Sequence, residues 1–320
     1  MLNPLRSNLV PFLVLFAASA SVVFGLAGCV FPMPDFDNPV DPKNRPDTFT
    51  TPGMEWVRLT EDAPMGTRTN YGFAAYDDQL WVVNGDVWSS PDGENWTQVL
   101  NDTGFGSGGG ALPLGAYDGE LYVIADGELR STTDGTVWTG HENPPASTEL
   151  ARRLVEYDGF LWSIGEDTAA RFDGTSWATF PIENTLADPV YGEHVPVVYD
   201  GALWSVGGEI FETGIVTSQD GENWETRPSN FDFTQRHWAA GEAFDQGIVI
   251  LGGWVGGPTN DVLFSSDGTE WSIETAPFLP RERFLAARLD DRIYFYGGNS
   301  GGEGEEVPAD VWYVELTGDP

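Results

Sequence analysis

Three arginines recur at one offset from a repeated phrase and could bind an anion. Arg68, Arg236 and Arg281 each lie eight residues before the aromatic or leucine residue that opens the phrase. A guanidinium donates two parallel hydrogen bonds to a carboxylate, sulfate or phosphate, so three of them on neighbouring repeats could hold an acidic ligand. The alternative is that each arginine bonds neighbouring backbone or an aspartate and thereby cross-links the repeats.

Other cationic and aromatic residues lie within three positions of the same place in the repeat. Trp238 is one of them, and it could stack on a ligand. The predicted ligand-binding set is Arg68, Arg236, His237, Arg281, Arg283, Arg152 and His194.

Catalytic residues are harder to select. Hydrolysis of a glycoside would need a nucleophile and a nearby carboxylate, and a tyrosine could serve as the nucleophile. Tyr71 or Tyr191 could pair with Glu193 or Glu282, but no motif singles them out. The catalytic residues are therefore left unassigned.

Metal chemistry has little support in the sequence. His141, His194 and His237 do not have the spacing of a transition-metal site. The glutamates within 303–306 could hold Ca²⁺, although a solvated acidic loop is the simpler interpretation. We predict no metal and no cofactor.

A repeat of about forty residues must position these side chains. Its phrase is an aromatic residue or leucine, then Asp, two spacers, Leu or Ile and a large residue. The six copies begin at Tyr76, Tyr117, Tyr157, Tyr199, Phe244 and Leu289, at intervals of 41, 40, 42, 45 and 45 residues. A second phrase, Asp-Gly-x-x-Trp, follows five copies and begins at Asp92, Asp134, Asp173, Asp220 and Asp267. Periods of this size with several short strands predict propeller blades.

Each unit reads as four antiparallel strands joined by tight turns. The sixth unit has only three, and the segment 54–60 resembles the missing fourth, since Trp56 precedes Trp96 by one period. We predict an all-β, six-bladed propeller that this N-terminal strand closes. The first-to-second and third-to-fourth turns then share one face. The arginines and the more variable loops lie on the other, as functional loops on a rigid scaffold often do.

The N-terminus reads as an export signal followed by a tether. Residues 1–28 carry an apolar run, and Leu26-Ala27-Gly28-Cys29 is similar to the lipobox of bacterial lipoproteins. Cys29 is the only cysteine, so it has no disulfide partner within the chain. We predict a signal peptide at 1–28, a lipidated Cys29 opening a Pro- and Asp-rich tether at 29–53, and the propeller at 54–320.

The charge excludes one class of partner. With a formal charge of −35, the chain repels nucleic acid. We therefore expect no nucleic-acid binding, a monomer, and attachment to a lipid bilayer through acylated Cys29. The residue after this cysteine, Val30, is not the Asp associated with inner-membrane retention, so we expect an outer-membrane or cell-surface location.

Two propeller families share features with the repeat. The glycine pairs at 207–208, 252–253 and 297–298, with Arg before a first strand, resemble kelch repeats. The Ser-x-Asp-Gly-x-x-Trp turns, as at Ser90 and Ser265, resemble a shortened Asp box of sialidase-type propellers. The resemblance implies a binding or scaffold module for an anionic glycan or a protein. The alternative is a carbohydrate-active enzyme, either a sialidase-like hydrolase or a protein similar to kelch-type sialic-acid mutarotases.

Overall fold

The computed structural model describes residues 48–51, 53–106, 112–145, 151–165, 167–182, 194–208, 214–234, 236–301 and 308–317. All regular structure in this part of the chain is β-strand. Two N-terminal strands come first, β1 (Thr48–Thr51) and β2 (Met54–Thr60). Over the same residues, no helix has the length and apolar character needed to span a membrane.

The next strands form three four-stranded antiparallel sheets. Blade 1 contains β3 (Gly72–Tyr76), β4 (Gln79–Val83), β5 (Val87–Ser90) and β6 (Thr97–Leu100). Blade 2 contains β7 (Leu114–Tyr117), β8 (Glu120–Ala125), β9 (Glu128–Thr132) and β10 (Thr139–Gly140). Blade 3 contains β11 (Leu154–Tyr157), β12 (Phe160–Ile164), β13 (Thr168–Phe172) and β14 (Trp177–Pro181).

Three more sheets complete the set. Blade 4 contains β15 (Val195–Tyr199), β16 (Ala202–Val206), β17 (Ile215–Ser218) and β18 (Glu225–Thr226). Blade 5 contains β19 (Ala240–Phe244), β20 (Gly247–Leu251), β21 (Asp261–Ser265) and β22 (Ser272–Thr275). Blade 6 contains β23 (Leu285–Leu289), β24 (Arg292–Tyr296) and β25 (Val311–Leu316), followed by β2 and β1.

The first strands of the blades line a central channel. Strands β3, β7, β11, β15, β19 and β23 contact one another in that order, and β23 contacts β3. The predicted six-bladed propeller is therefore confirmed. Its hydrophobic core lies between neighbouring blades, as in the cluster where Trp56 packs 5.9 Å from Phe278 and 6.3 Å from Phe295.

The N-terminal strand closes the ring as the sequence predicted. Strand β2 pairs antiparallel with β25, and Trp56 lies opposite Val314. A difference from the expectation is β1, which pairs with β2 although its residues fall in the segment interpreted as tether. The free edge of β2 offers backbone partners, and Gly53 has the positive φ of 79° that a tight turn requires.

The tyrosine of the Tyr-Asp phrase ties each of blades 1 to 4 to the blade that follows it. Asp118 and Gly119 both have positive φ, as a type I′ hairpin turn demands. The hydroxyl of Tyr76 donates to the Gly119 carbonyl at 2.7 Å, one blade further on. Inside its own blade, the Trp81 indole donates to the Tyr76 carbonyl at 2.9 Å. Tyr117 and Tyr157 make the same contact with the carbonyls of Gly159 and Gly201. Tyr199 bonds the Ser266 carbonyl of blade 5 instead, and Phe244 and Leu289 have no hydroxyl to donate.

The Asp-Gly turns also fasten blades together. The backbone amides of Asn223 and Glu222 bond the Asp220 carboxylate, and these bonds lower the pKa of Asp220. A Cβ at Gly221 would lie 2.0 Å from the Trp162 ring of the preceding blade. The turn thus needs glycine because a tryptophan packs directly against it.

Candidate functional site

Arg281 is fully buried and joins two strands of its own blade. Its Nη2 donates to Asp310 Oδ2 at 3.0 Å, and its Nη1 donates to the Gly297 carbonyl at 3.2 Å. Gly297 directly follows β24, and Asp310 directly precedes β25. The guanidinium therefore holds the end of the second strand against the start of the third.

Arg236 makes the equivalent contacts in blade 5. Its Nη1 donates to the Gly252 carbonyl at 2.5 Å, and its Nη2 donates to Asp261 Oδ2 at 3.2 Å. Gly252 follows β20, and Asp261 opens β21. The side chain is only 2% exposed, so the guanidinium is enclosed by its partners.

Arg68 repeats the arrangement in blade 1. It donates to both oxygens of Asp86, at 2.6 and 2.8 Å, and to the Asn84 carbonyl at 3.4 Å. Burial opposes ionisation of the Asp86 carboxyl, but the hydrogen bonds from Arg68 hold its pKa below the usual range. These geometries favour the cross-linking alternative for all three arginines. The side-chain links run within a blade rather than from blade to blade.

Arg152 spans the central channel. From blade 3 its Nη1 donates to the Ala239 carbonyl of blade 5 and its Nη2 to the Phe284 carbonyl of blade 6, both at 2.8 Å. The next residue, Arg153, also crosses, donating to the Gly241 carbonyl at 3.0 Å. Arg153 was not among the predicted site residues, although two consecutive arginines in a chain with only 15 lysines and arginines were a visible signal.

His194 lies beside Arg152 and is 2% exposed. Its Nε2 is 3.0 Å from the Ile164 carbonyl. Because that carbonyl can only accept, Nε2 carries the proton. Burial lowers the pKa of His194 to about 4, so the ring is neutral at neutral pH. Both residues line a cavity of about 10 Å³, too small for any ligand larger than water.

Arg283 and Trp238 form an accessible pair on the variable face. The Arg283 guanidinium carbon lies 3.8 Å from the centroid of the Trp238 ring, and the Arg283 side chain is 43% exposed. The Arg283 backbone N–H donates to the Trp238 carbonyl at 2.9 Å. Both residues have positive φ, 58° and 51°. Such backbone strain in residues with side chains persists only where surrounding contacts enforce it.

Neighbouring loops hold this pair in place. His237 and Trp254 exchange two backbone hydrogen bonds, of 3.1 and 2.7 Å. Glu282 and Asn299 exchange another two, of 2.9 and 2.8 Å. The segments on either side of the Trp238–Arg283 stack are thus bonded to the second-to-third-strand loops of blades 5 and 6.

The tyrosine considered for catalysis is enclosed. The Tyr71 hydroxyl accepts from the Leu285 N–H at 3.1 Å and donates to the Tyr296 carbonyl. Burial raises the pKa of Tyr71, which opposes formation of a nucleophilic phenolate. Glu282 is 5% exposed, and its Oε1 accepts from the Asn299 amide at 3.3 Å. Tyr191 and Glu193 lie outside the described residues.

Metal ligands do not cluster in the described part of the chain, where no group of three or more His, Cys, Asp or Glu side chains could hold an ion. Residues 303–306 and Cys29 lie outside that part.

Comparison with known proteins supports the fold. No protein-family model matches the sequence, and no curated protein sequence matches it. Among solved structures, YjhT is similar, with a TM-score of 0.61 and 11% sequence identity over 80% of this chain and 99% of that one. At this identity the likeness concerns architecture alone, because one propeller fold carries many activities. The chain is thus a six-bladed β-propeller with a structural neighbour in YjhT.

Proposed function

We propose that this protein is a lipid-anchored, extracytoplasmic propeller that acts as a binding or scaffolding module. The observation that carries the proposal is the Trp238–Arg283 stack, a half-exposed aromatic–cation pair held on strained backbone. The arginines at 68, 236 and 281 are largely enclosed by their partners. Arg283 lies 3.8 Å from Glu282 but keeps 43% of its side chain exposed, so the proposed contact surface is Trp238, Arg283 and His237.

The chemistry of this surface suits an acidic glycan or a protein. Stacked on Trp238, the Arg283 guanidinium is pre-oriented and loses little side-chain freedom when a carboxylate or sulfate binds. The indole offers a rigid apolar face, and Trp and Arg are the residues most enriched among the energetic centres of protein interfaces. Outside this pair the strongly negative protein repels anions, so an acidic ligand depends on Arg283.

Titration with single sugars tests whether the ligand is an acidic glycan. Sialic, uronic and sulfated sugars are titrated against wild type, Arg283→Ala and Trp238→Ala by calorimetry. Loss of a hydrogen-bonded charge should weaken acidic sugars by about 1.5–3 kcal/mol in Arg283→Ala. The matched control is Arg292→Ala, which removes another cation–π pair, 4.3 Å from the Tyr313 ring and with 44% exposure. This variant should bind as wild type does.

Cross-linking at the cell surface tests whether the ligand is a protein. Proteins captured by wild type and lost with Trp238→Ala and Arg283→Ala, but kept with Arg292→Ala, would support a protein partner. If no sugar binds and the captured proteins are the same for every variant, the proposed contact surface is wrong.

The anchor is tested separately. The lipobox-like sequence before Cys29 supports lipidation at that residue, which lies outside the described part of the structure. In a bacterial host, Cys29→Ser should move the protein from the membrane fraction to the soluble one. Metabolic labelling with a clickable fatty acid should mark wild type and not the variant. Equal membrane association and labelling of both would remove the lipoprotein assignment.

A further inference from the structure

A cavity of about 240 Å³ lies in the central channel, away from the Trp238–Arg283 surface. Every blade contributes to its wall through its first strand or the residue before it. Ala75, Ala116 and Glu156 each lie one residue before the Tyr-Asp turn of their blade. The cavity therefore occupies the end of the channel nearest the short turns, on the opposite face from the variable loops.

The wall of this cavity is apolar on one side and charged on the other. Blades 1 and 2 contribute only alanine and glycine, which leave the space open. Blades 3, 5 and 6 contribute two cations and two anions, namely Arg153, Glu156, Glu242 and Arg288. The net charge of the side chains that line the cavity is therefore zero, in a protein whose formal charge is −35.

Two arginines from blade 3 close the inner end of the cavity. Arg153 reaches across to blade 5, where it forms an ion pair with Glu242, and both side chains are less than one-fifth exposed. Arg152 crosses beside it and bonds carbonyls of blades 5 and 6. These crossing side chains bound the cavity on its inner side, and we call it the well.

We propose that this well binds a small zwitterion, a molecule with one carboxylate and one ammonium group. Arg288 has one guanidinium nitrogen engaged with the Ala243 carbonyl and Asp245, and Nε with the Asp290 carbonyl, so its other terminal nitrogen can donate to a carboxylate. The exposed Glu156 carboxylate accepts from the ammonium group. Both signs of charge on one wall match a ligand that carries both.

The size and the electrostatics define the ligand class. The well is smaller than the roughly 300–1,000 Å³ typical of sites for drug-sized molecules, so it fits an amino-acid-sized ligand. At long range the negative protein repels anions and attracts cations, whereas a zwitterion has no net charge for this field to act on. In the well, Arg288 and solvent-accessible Glu156 line one enclosed space, so both ligand charges can be satisfied there. A simple anion can pair only with Arg288, and a simple cation can pair only with Glu156.

Calorimetric titration tests the proposal. The probes are glycine, β-alanine and 4-aminobutanoate, which differ in the separation of their charges, with acetate and methylammonium as single-charge probes. At least one zwitterion should bind, and neither single-charge probe should bind comparably. Glu156→Gln should weaken the bound zwitterion by about tenfold or more, because it removes a charged hydrogen-bond acceptor. Ala116→Leu should abolish binding by filling the well while it keeps every charge.

The matched control is Glu94→Gln, which makes the same change of charge at an exposed turn position in blade 1. It should bind as wild type does, and circular dichroism should show each variant folded. If Ala116→Leu does not fold, Glu156→Gln still decides the question. Absence of binding by every zwitterion, or equal affinity of wild type and Glu156→Gln, overturns the proposal. Neither result bears on Trp238 and Arg283, whose variants are tested with different ligands.

Discussion

Gly298 donates its backbone N–H to the Arg68 carbonyl at 2.8 Å, across the interface between blades 6 and 1. Gly298 follows β24 in blade 6, and Arg68 precedes β3 in blade 1. The side chain of Arg68 then bonds Asp86 within blade 1. One residue thus links two blades with its backbone and two strands with its side chain.

The same relationship recurs at the two preceding blade interfaces. Gly253 donates to the Arg281 carbonyl at 2.9 Å, and Gly208 donates to the Arg236 carbonyl at 2.7 Å. Each glycine is the second of a Gly-Gly pair. Blades 1 to 3 lack the pair, and the blades that follow them lack the arginine at the same offset. The glycine pair of one blade and the arginine of the next therefore form one structural unit.

Substitution of Gly298 by alanine should destabilise this unit. Its φ is 95°, and a Cβ there would lie 2.6 Å from the Glu282 carbonyl oxygen. The control is Gly256→Ala, which has a φ of 71° with no atom within 4 Å of the added Cβ. We expect Gly256→Ala to cost about 1–2 kcal/mol from the left-handed backbone alone. Overpacking should add about 1–3 kcal/mol in Gly298→Ala. Urea unfolding measures both, and equal losses would show that the close approach carries no cost.

The sequence predicted the fold well because its signals were local and repeated. The Tyr-Asp turns fix four-stranded units, and Trp56 one period before Trp96 identified the closing strand. The pairing of β1 with β2 was missed, because the Pro-rich composition around it carries no alternation of apolar and polar residues.

Removal of the Asp310 carboxylate charge should be costly. Asp310→Asn keeps the shape but leaves the fully buried Arg281 without its counter-charge, and breaking a buried pair costs about 3–5 kcal/mol. Glu222→Gln is the matched change in the exposed pair with Arg171, where 2.9 Å separates the charged atoms. An exposed pair contributes about 0–1 kcal/mol. Thermal unfolding of both variants measures the difference, and similar melting temperatures would contradict a structural role for Arg281.

Two N-terminal truncations should distinguish the contribution of β1 to stability from that of β2. A chain that begins at residue 53 loses only the outermost strand of blade 6, so we expect a folded protein with a slightly lower melting temperature. A chain that begins at residue 61 also loses Trp56 and exposes the edge of β25, so we expect insoluble protein. Solubility and size-exclusion profiles compare the two. A soluble, monomeric product from the shorter chain would mean that the ring closes without β2.

The candidate sites were harder to predict than the fold. The common offset of Arg68, Arg236 and Arg281 does place them at equivalent positions in their blades. Their partners Asp86, Asp261 and Asp310 lie at different distances along the chain, so no common spacing revealed them. The Trp238–Arg283 stack joins residues 45 positions apart through backbone conformations that the residue types disfavour. Local rules fail at such places because contacts distant in sequence impose the conformation.

His194 should make stability depend on pH between about 4 and 6.5. Burial lowers its pKa from 6.5 to about 4, and the nearby Arg152 guanidinium also acts against a charged ring. Below pH 6.5 the unfolded chain therefore binds a proton that the folded protein does not bind until about pH 4, and stability falls as the pH falls. From pH 7 to pH 5 this loss should approach about 2 kcal/mol.

The variant His194→Gln keeps an amide donor for the Ile164 carbonyl and cannot titrate. Urea unfolding of both proteins at pH 7 and pH 5 isolates the histidine, because the carboxylates are common to the two. Wild type should lose more stability than the variant, and an equal loss in both would show that His194 does not control this part of the pH dependence.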